Sequence, residues 1–290
     1  MAPATTDSRP PVSVVVPFRG DRAAAAALLE NLGRMRTRAS DQLIVADNTP
    51  SGTVPDGGAV EVVRVPAPPS ARRARNEGAR RATNPWLLFL DADCRPDPGL
   101  LDEYFAAEPA KRCGVIAGEV VGDDSQPETL ARWARSRRGL MAHHHVDAER
   151  PAGIAGNLMM RREVLDGVGG FDEDARSEAD VDLCWRIQDA GWQLEYRPAA
   201  AVSHRDPTRL GDVWRQAWMY GAGKRWLRGR WGPAAEPPRA LAPLVRAIGG
   251  ALVWTVTARF ERALFKLVDG MVALAGWLGY QAARLRGRKR

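Results

Sequence analysis

The sequence predicts an α/β protein whose central sheet is mostly parallel and flanked by helices. Three observations support this fold class. Short apolar runs recur along the chain as far as about residue 204. Segments with helical spacing separate these runs, as they do in βαβ units. The runs are continuously apolar instead of alternating, which is typical of strands buried on both faces of a parallel sheet.

The first four strands are predicted from apolar runs that end in polar or turn-forming residues. These runs are VSVVVP (12–17), QLIVADN (42–48), VEVVRV (60–65) and WLLFLDAD (86–93). Helical spacing predicts one helix over residues 21–36 and another over residues 70–83. Each helix lies between two strands, which gives the chain the order expected of a parallel sheet.

The later elements follow from the same patterns. Strands are expected over residues 114–121, 153–161 and 195–204. Helices are expected over residues 126–142 and 177–191, the second beginning at Ser177 and stopping at Gly191. The composition changes near residue 205, and PAAEPPRALAP (233–243) has the Pro content of a linker. We therefore predict a flexible N-terminus, one α/β domain, a linker and a helical basic extension, over residues 1–11, 12–232, 233–243 and 244–290.

The basic charge of the chain is concentrated in its last part. The net charge is +7, but residues 205–290 contain 17 Lys and Arg against 5 Asp and Glu, so this part carries +12 and the rest −5. An anionic membrane surface is the partner that fits best, because residues 263–283 are long and apolar enough to span a bilayer. Lys266 and Asp269 interrupt this run. We therefore expect helices that lie in the interface, with Trp254, Trp277 and Tyr280 at headgroup depth.

Other interpretations of this basic region concern its apolar helices and its Arg- and Trp-rich segment. The apolar helices could form an amphipathic hairpin that packs on the protein itself. The Arg- and Trp-rich segment 215–232 could stack on nucleic acid, belt a membrane interface or cover an acceptor site as a lid. We expect no nucleic-acid partner, because such a protein has no need of the acidic residues described next.

Three carboxylates lie at the predicted ends of strands, where open α/β sheets bind ligands. Asp47 lies near the end of the second predicted strand, and Asp91 and Asp93 lie at the end of the fourth. A single aspartate at a strand end is most often a turn former or a helix cap. Two carboxylates one residue apart repel each other unless a cation joins them. Because Mg²⁺ and Mn²⁺ take oxygen ligands and bridge carboxylates to a diphosphate, the Asp91-Ala92-Asp93 pair indicates such a metal.

Several sequence pieces, in this order, resemble family 2 glycosyltransferases. The pieces are VVVPFRGD, IVADN, ARNEG, LDAD, GNLMMRREVLDGVGGFDE, ADVDLCWR and a histidine that closes AAVSH. The resemblance covers about residues 12–225 and implies the GT-A fold, which binds nucleotide-diphospho-sugars. The segment 215–232 resembles the lid region of the family and, faintly, that of actinobacterial mycofactocin-type glycosyltransferases.

The resemblance implies a role for each motif residue. Pro17 and Asp47 would line the nucleoside pocket, Arg75 would lie near the nucleotide, and Asp91 would contact the ribose or the metal shell. Asp93 and His204 would bind Mg²⁺ or Mn²⁺, although a loop histidine without a ligand role is the alternative for His204. Gly156 and Asn157 are expected to line the sugar pocket, where a small residue permits close approach.

Asp180 is the expected general base in this resemblance. The family usually has Glu-Asp where this chain has Ala179-Asp180, and Glu178, one position earlier, is the reserve candidate. The structural alternative is a capping box formed by Ser177 and Asp180. Asp182 and Arg186 stand four residues apart, as in a surface ion pair.

The resemblance therefore implies a metal-dependent inverting glycosyltransferase that moves a sugar from a nucleotide-diphosphate donor to a hydroxyl acceptor. With its basic apolar tail, the enzyme is expected at the cytoplasmic face of the cell membrane, acting on a lipid-linked or cell-envelope acceptor. One alternative is a catalytically inactive transferase scaffold that binds nucleotide-sugars or glycans. The other is a sugar-1-phosphate nucleotidyltransferase, which would need a lysine in the loop after the first strand, where VVVPFRGDRAA has none.

Overall fold

The structure, a computed structural model, describes residues 9–137, 146–175 and 177–287. Most of the predicted flexible N-terminus, the end of the predicted helix 126–142 and the last residues of the predicted extension lie outside these ranges. The chain divides into two compact units. The first comprises Met1–Asp123, Arg138–Glu173 and Asp180–Arg205, and the second comprises Asp124–Arg137, Asp174–Ala179 and Asp206–Arg290.

The first unit contains a sheet to which the described residues contribute eight strands in the order β3-β2-β1-β4-β7-β6-β8-β5. The strands are β1 (Val12–Phe18), β2 (Gln42–Asp47), β3 (Val60–Arg64), β4 (Trp86–Leu90), β5 (Cys94–Pro96), β6 (Cys113–Gly122), β7 (Asn157–Arg161) and β8 (Gln193–His204). Strands β1 to β4 pair in parallel, as do β6 and β8. Strand β7 runs antiparallel to β4 and β6, and β5 runs antiparallel to β8, so the sheet is mixed.

Helices flank this sheet in the segments between its strands, where the sequence has helical spacing. They are α1 (Arg22–Gly33), α2 (Ala71–Arg81), α3 (Leu100–Tyr104), α5 (Arg162–Gly167) and α6 (Ala179–Asp189). Asp21 and Ser70 cap the first two helices, because their side chains accept the backbone N–H groups of Ala24 and Arg73, three residues further along the chain. The strands that were predicted are confirmed, and their apolar side chains form the core of this unit.

The second unit is helical. It contains α4 (Thr129–Arg137), α7 (Leu210–Trp231), α8 (Leu241–Val256) and α9 (Phe260–Gly287). Helices α7 and α9 approach closely through glycines: a Cβ on Gly221 would collide with the carbonyl of Gly276, and one on Gly279 with the carbonyl of Trp218. Helices α8 and α9 form a hairpin through residues 257–259. The helices predicted over 244–286 are thus confirmed, and the predicted linker contains the first turn of α8.

Among the described residues, one helical stretch, Phe260–Leu285, is long and apolar enough to cross a membrane. Asp269, which interrupts this stretch, accepts hydrogen bonds from Trp133 Nε1 at 2.9 Å and Arg137 Nε at 2.6 Å. Tyr280 is buried, with the Arg225 guanidinium 5.8 Å from its ring. The expectation that Tyr280 lies at headgroup depth is therefore wrong, because this side of α9 packs inside the unit.

Candidate active site

The Asp91-Ala92-Asp93 turn directly follows β4, and the antiparallel strand β7 brings Gly156 against it. Leu90 is paired with Asn157, so the residues just beyond this pair meet. The Asp91 N–H donates to the Gly156 carbonyl at 3.4 Å. A Cβ on Gly156 would lie only 3.2 Å from Asp91 Oδ2. Gly156, which is itself buried, therefore allows the Asp91 carboxylate to lie close to its backbone, because a side chain there would crowd it.

Arg75 reaches the same carboxylate from α2. Its Nη2 donates a short hydrogen bond to Asp91 Oδ1, and its guanidinium lies 5.5 Å from the centre of the Phe171 ring. The side chain is 11% exposed. Its Nε is buried and has no hydrogen-bond partner among the described residues. A buried guanidinium N–H without a partner is costly unless an acceptor such as phosphate oxygen arrives.

The turn that carries Phe171 is fastened to α2 by Asn76. The Asn76 side chain donates to the Phe171 carbonyl at 2.9 Å and accepts the Phe171 N–H at 2.9 Å. Gly169 and Gly170 have φ of +78° and +75°, a backbone region that favours glycine. The segment GGFDE (169–173) therefore forms a tight turn that is anchored in the core by Phe171, which is 2% exposed and packs edge-on against Phe89.

Asp93 and His204 lie side by side because β5 pairs with the end of β8. Cys94 is the register partner of His204, and His204 Nε2 lies 3.3 Å from Asp93 Oδ2. This separation suits two ligands of one divalent ion, and the Asp93 carboxylate is the kind of oxygen ligand that Mn²⁺ and Mg²⁺ take. Burial, together with the charges of Asp91 and Asp93, raises the pKa of the Cys94 thiol well above its usual value, so no thiolate competes.

Protein ligands alone do not complete a metal shell here. In the part of the chain that the structure describes, no three His, Cys, Asp or Glu side chains are grouped closely enough to hold an ion. The donor set nevertheless fits a metal that is shared with a ligand, because Mg²⁺ is commonly held by one or two carboxylates plus substrate phosphates and water. The residues present are therefore compatible with a metal that binds together with a diphosphate.

Asp180 lies in the first turn of α6, on the other side of the segment that contains Gly156. Its Oδ2 accepts the Ala155 N–H at 3.1 Å, and its Oδ1 accepts the Val181 N–H at 3.0 Å. The Ser177 hydroxyl donates to the Met219 carbonyl at 3.1 Å. Glu178 has φ of +61°, a strained conformation for a non-glycine residue directly before α6. Backbone donors thus hold the Asp180 carboxylate next to the Gly156 segment.

The Asp182–Arg186 pair is not a surface pair. Asp182 is fully buried, and Arg186 Nε donates to its Oδ2 at 2.8 Å. The other guanidinium nitrogens donate to the carbonyls of Val168 at 2.6 Å and Gly170 at 2.8 Å. The expectation from the i, i+4 spacing is wrong about exposure, because this face of α6 packs on the glycine turn. Arg186 thereby fixes the turn that supports Phe171 and, above it, Arg75.

Asp47 is buried at the end of β2, and its own loop occupies its carboxylate. Burial alone would raise the pKa of Asp47, but the backbone N–H groups of Val54, Thr49 and Thr53 outweigh it and hold the pKa below its usual value. Arg64 Nη1 adds an ion pair at 2.6 Å. In this structure the carboxylate serves as the anchor of the loop that follows β2.

Pro17 and Asn157 are both buried. Pro17 lies in β1 opposite Ala46. The Asn157 amide donates to the carbonyls of Glu119 at 2.9 Å and Ala200 at 2.7 Å, and its oxygen accepts the Tyr104 hydroxyl at 2.8 Å. The structure therefore places the Asn157 side chain in the core beneath Gly156, where it joins β7 to β6 and β8.

The structure thus brings together two sets of predicted residues. Arg75, Asp91, Gly156 and Asp180 meet around the 155–156 segment, and Asp93 meets His204. Sequence reasoning missed three contributors, which are Arg64, Asn76 and the contacts of Arg186 with the buried Asp182 and the glycine turn. Asn76 could have been found, because it lies within the ARNEG piece quoted above. Arg64 could not, because the sequence shows it only as a charged residue near the end of an apolar strand.

Two curated relatives resemble this chain, one of them over nearly its whole length. It is 29% identical over 286 residues to the pre-mycofactocin glycosyltransferase of Mycobacterium tuberculosis, covering 94% of this chain and 57% of the relative. It is 30% identical over 149 residues to an N-acetylglucosaminyl-diphospho-decaprenol L-rhamnosyltransferase of the same organism, covering 43% of this chain and 48% of the relative. The chain thus spans about half the length of these proteins.

Solved structures share the fold. The mannosyltransferase PcManGT of Pyrobaculum calidifontis, in complex with GDP-Man and Mn²⁺, superposes with a TM-score of 0.66 at 18% identity, covering 95% of this chain and 88% of that one. GalNAc-T7 with UDP, GalNAc and Mn²⁺ superposes with a TM-score of 0.51 at 15% identity, covering 76% of this chain and 51% of that one. These superpositions confirm the predicted GT-A fold.

Residues 86–283 match the family described as Glycosyl transferase family group 2, a range that includes Asp91, Asp93, Asp180, His204 and the helices of the second unit. The resemblance to mycofactocin-type enzymes is likewise confirmed by the relative in M. tuberculosis. The chain belongs to Glycosyl transferase family group 2.

Proposed function

We propose that the protein is a metal-dependent inverting glycosyltransferase that moves a sugar from a nucleotide-diphosphate donor to a hydroxyl acceptor. The observation that carries this proposal is the convergence of Asp91, Arg75 and Asp180 on the Gly156 segment. Asp91 bonds to Arg75 and, through its backbone, to Gly156, and Asp180 accepts the N–H of Ala155, so two carboxylates and a guanidinium lie around this segment. Family membership and the GT-A fold support the same reaction class.

Asp93 and His204 are the residues that would hold Mn²⁺ or Mg²⁺. A bound divalent ion supplies charge stabilisation for a departing diphosphate. Arg75 would donate its buried Nε–H to a phosphate oxygen while its Nη2 stays on Asp91, so the arginine arrives at the ligand already oriented. Gly156 would let the donor approach the Asp91 carboxylate, and Asn157 would hold Gly156 from below.

Asp180 is proposed as the general base. Each of its oxygens accepts one backbone N–H, which leaves acceptor capacity on both for an incoming hydroxyl. Asp180 would take the proton of the acceptor hydroxyl as that oxygen bonds to the anomeric carbon and the bond to the diphosphate breaks. Glu178 remains the reserve for this role, and its strained backbone marks the start of the same helix.

Pro17 and Asp47 are proposed to border the nucleoside pocket at the carboxyl ends of β1 and β2. The two solved relatives are complexes with GDP-Man and with UDP and GalNAc, so guanosine and uridine nucleotides are the first donors to test. A lipid-linked or cell-envelope acceptor is proposed from the basic, apolar second unit, which would hold the enzyme at the cytoplasmic face of the membrane. Fractionation of the full chain at low salt tests this location.

A thermal-shift panel tests donor and metal binding. GDP, UDP and their sugars are added to the full chain with Mn²⁺, with Mg²⁺ and with EDTA, and a ligand at about 100 times its Kd should stabilise the fold by about 2.7 kcal/mol. Asp93→Asn should abolish the metal-dependent part of the shift. Asp166→Asn, an exposed carboxylate in the same unit, is the matched control and should behave like the wild type.

Transfer assays test the base. Asp180→Asn should lower kcat by about 10²- to 10⁴-fold while the nucleotide-dependent thermal shift persists. If Asp180→Asn transfers sugar at the wild-type rate while Glu178→Gln does not, Glu178 takes the role. Binding of nucleotide-sugar without any turnover by the wild type would favour the inactive scaffold, and a nucleotide shift that ignores the metal would refute the metal-dependent proposal.

A further inference from the structure

The hairpin of α8 and α9 exposes a continuous apolar face. Along α8, Leu241, Val245, Ile248 and Leu252 repeat at intervals of four, three and four residues, which places them on one side of the helix. Their exposed fractions are 77%, 59%, 52% and 64%. Isolated exposed apolar residues are ordinary, but an aligned row of this length marks an interaction surface.

The face is most exposed at the turn of the hairpin. Val256, at the end of α8, is 86% exposed, and Phe260, at the start of α9, is 67% exposed. Leu264 and Leu267, on the first two turns of α9, are exposed as well, by 43% and 55%. We call residues 252–264 the hairpin tip. Exposed apolar side chains at the turn between two helices are suited to insertion among the acyl chains of a lipid bilayer.

The hairpin tip is also cationic. Arg259 and Arg262 hold their guanidiniums 5.3 Å and 5.0 Å from the Trp254 ring. The acidic residue of the tip, Glu261, is paired with Arg132 at 2.6 Å. Tryptophan and arginine at the border of an apolar surface suit the headgroup region of a bilayer, where anionic lipids attract basic side chains.

The opposite face of the hairpin is committed to the second unit. Ala247, Ala251, Ala263 and Val268 are buried there. Asp269 is held by Trp133 and Arg137 on α4, and Gly276 and Gly279 lie against α7. A helix that crossed a bilayer would have to leave these contacts and carry Asp269 into the hydrocarbon, which is costly. The geometry therefore favours contact from one side only.

We infer that the hairpin tip inserts into one leaflet of an anionic membrane and that α9 does not span it. This inference rests on the membrane location proposed above and adds the surface and the topology. A second copy of the chain fits this surface less well. A two-fold interface would place Arg259 and Arg262 against their own copies, and like charges repel there.

Vesicle co-sedimentation of the full chain tests the inference without donor, metal or acceptor. The wild type should bind phosphatidylcholine vesicles that contain phosphatidylglycerol, and bind vesicles of phosphatidylcholine alone at least about tenfold more weakly. The double variant Val256→Asp/Phe260→Asp should lose binding to both by about tenfold or more, because charged residues do not enter the acyl region. Leu210→Asp, a 51% exposed leucine on α7, is the matched control and should bind normally.

Two further measurements separate the contributions. Arg259→Gln/Arg262→Gln should weaken binding to anionic vesicles only, whereas Arg215→Gln, an exposed arginine on α7, should have a smaller effect. Hydrogen exchange should slow over residues 252–264 on vesicle binding, while protection of α9 beyond Asp269 should stay as it is in solution.

Three results would overturn the inference. The first is wild-type binding equal to that of the tip variant. The second is a dimer in analytical ultracentrifugation that the tip variant dissociates while neither protein binds vesicles. The third is protection of all of α9 with release of α4, which indicates a spanning helix. Because no sugar donor is present, each of these results leaves the proposed transferase reaction standing.

Discussion

Replacing Arg186 by methionine should destabilise the first unit strongly, although the residue belongs to an ordinary-looking i, i+4 pair. The guanidinium joins three groups: the Asp182 carboxylate at 2.8 Å, the Val168 carbonyl at 2.6 Å and the Gly170 carbonyl at 2.8 Å. Methionine keeps the apolar stem and removes all three donors. The fully buried Asp182 carboxylate then loses the guanidinium that contacts it.

The size of the effect follows from burial. Removing one partner of a buried ion pair costs about 3–5 kcal/mol, because the remaining charge stays desolvated. An exposed pair with the same spacing is worth about 0.3–0.5 kcal/mol. Glu30 on α1 and Arg34, the residue directly after this helix, form such a pair at 2.6 Å, with both side chains about two-thirds exposed. Arg186→Met and Arg34→Met are therefore the same substitution in two environments.

Urea unfolding measures the difference. Tryptophan fluorescence and circular dichroism are followed together, because a chain with two compact units does not have to unfold in one step. Arg186→Met should lose about 3–5 kcal/mol, and Arg34→Met less than about 0.5 kcal/mol. The double variant Asp182→Asn/Arg186→Met should regain part of the loss, since no uncompensated charge remains. A difference between the two single variants below about 1 kcal/mol would refute the reasoning from burial.

Three further results are expected. Arg9→Leu should cost about 3–5 kcal/mol near neutral pH, because Arg9 forms a buried ion pair with Asp41. Burial would raise the pKa of Asp41, but the hydrogen bonds from Arg9 and from backbone N–H groups lower it. The stabilisation from this ion pair is therefore present above about pH 4. In urea titrations, the difference in unfolding free energy between variant and wild type should shrink as the pH falls below that value. Gly221→Val should cost about 1–3 kcal/mol through overpacking against α9, whereas Gly229→Val, with open space around it, should be near neutral by thermal unfolding. EDTA should remove the thermal shift given by GDP or UDP, and added Mn²⁺ should restore it; a shift that survives EDTA would contradict a metal-mediated diphosphate site.

Much of the first unit was predictable, because its strands are apolar runs that stop at polar residues. Strand β1 ends one residue beyond the predicted position, and β4 ends three residues before it, directly before Asp91. Asp91 and Asp93 stood out for the same reason, as charges directly after a buried strand. The directions of β6 and β7 were harder. A strand buried on both faces reads as a continuous apolar run whether its neighbours are parallel or antiparallel.

The rest of the site depended on contacts between residues far apart in the chain. The spacing of Asp182 and Arg186 is the same as that of an exposed pair, and only the glycine turn over 168–170 makes it a buried one. Asn157 followed a glycine in a motif, yet its amide is directed into the core, because Tyr104 and two strand carbonyls converge there. Three-residue β5 has too few residues to show a pattern, although it brings His204 to Asp93.

The hydrogen bonds that already occupy the Asp47 carboxylate have a consequence for nucleoside recognition. Its carboxylate already accepts hydrogen bonds from the N–H groups of Thr49, Thr53 and Val54 and from Arg64. A base or ribose that bonded to this oxygen pair would have to exchange places with an existing donor, and Arg64, the partly exposed one, is the easiest to displace. The enthalpy of such an exchange would be small, so discrimination between nucleosides at this corner of the sheet would come from the shape of the loop that Asp47 anchors.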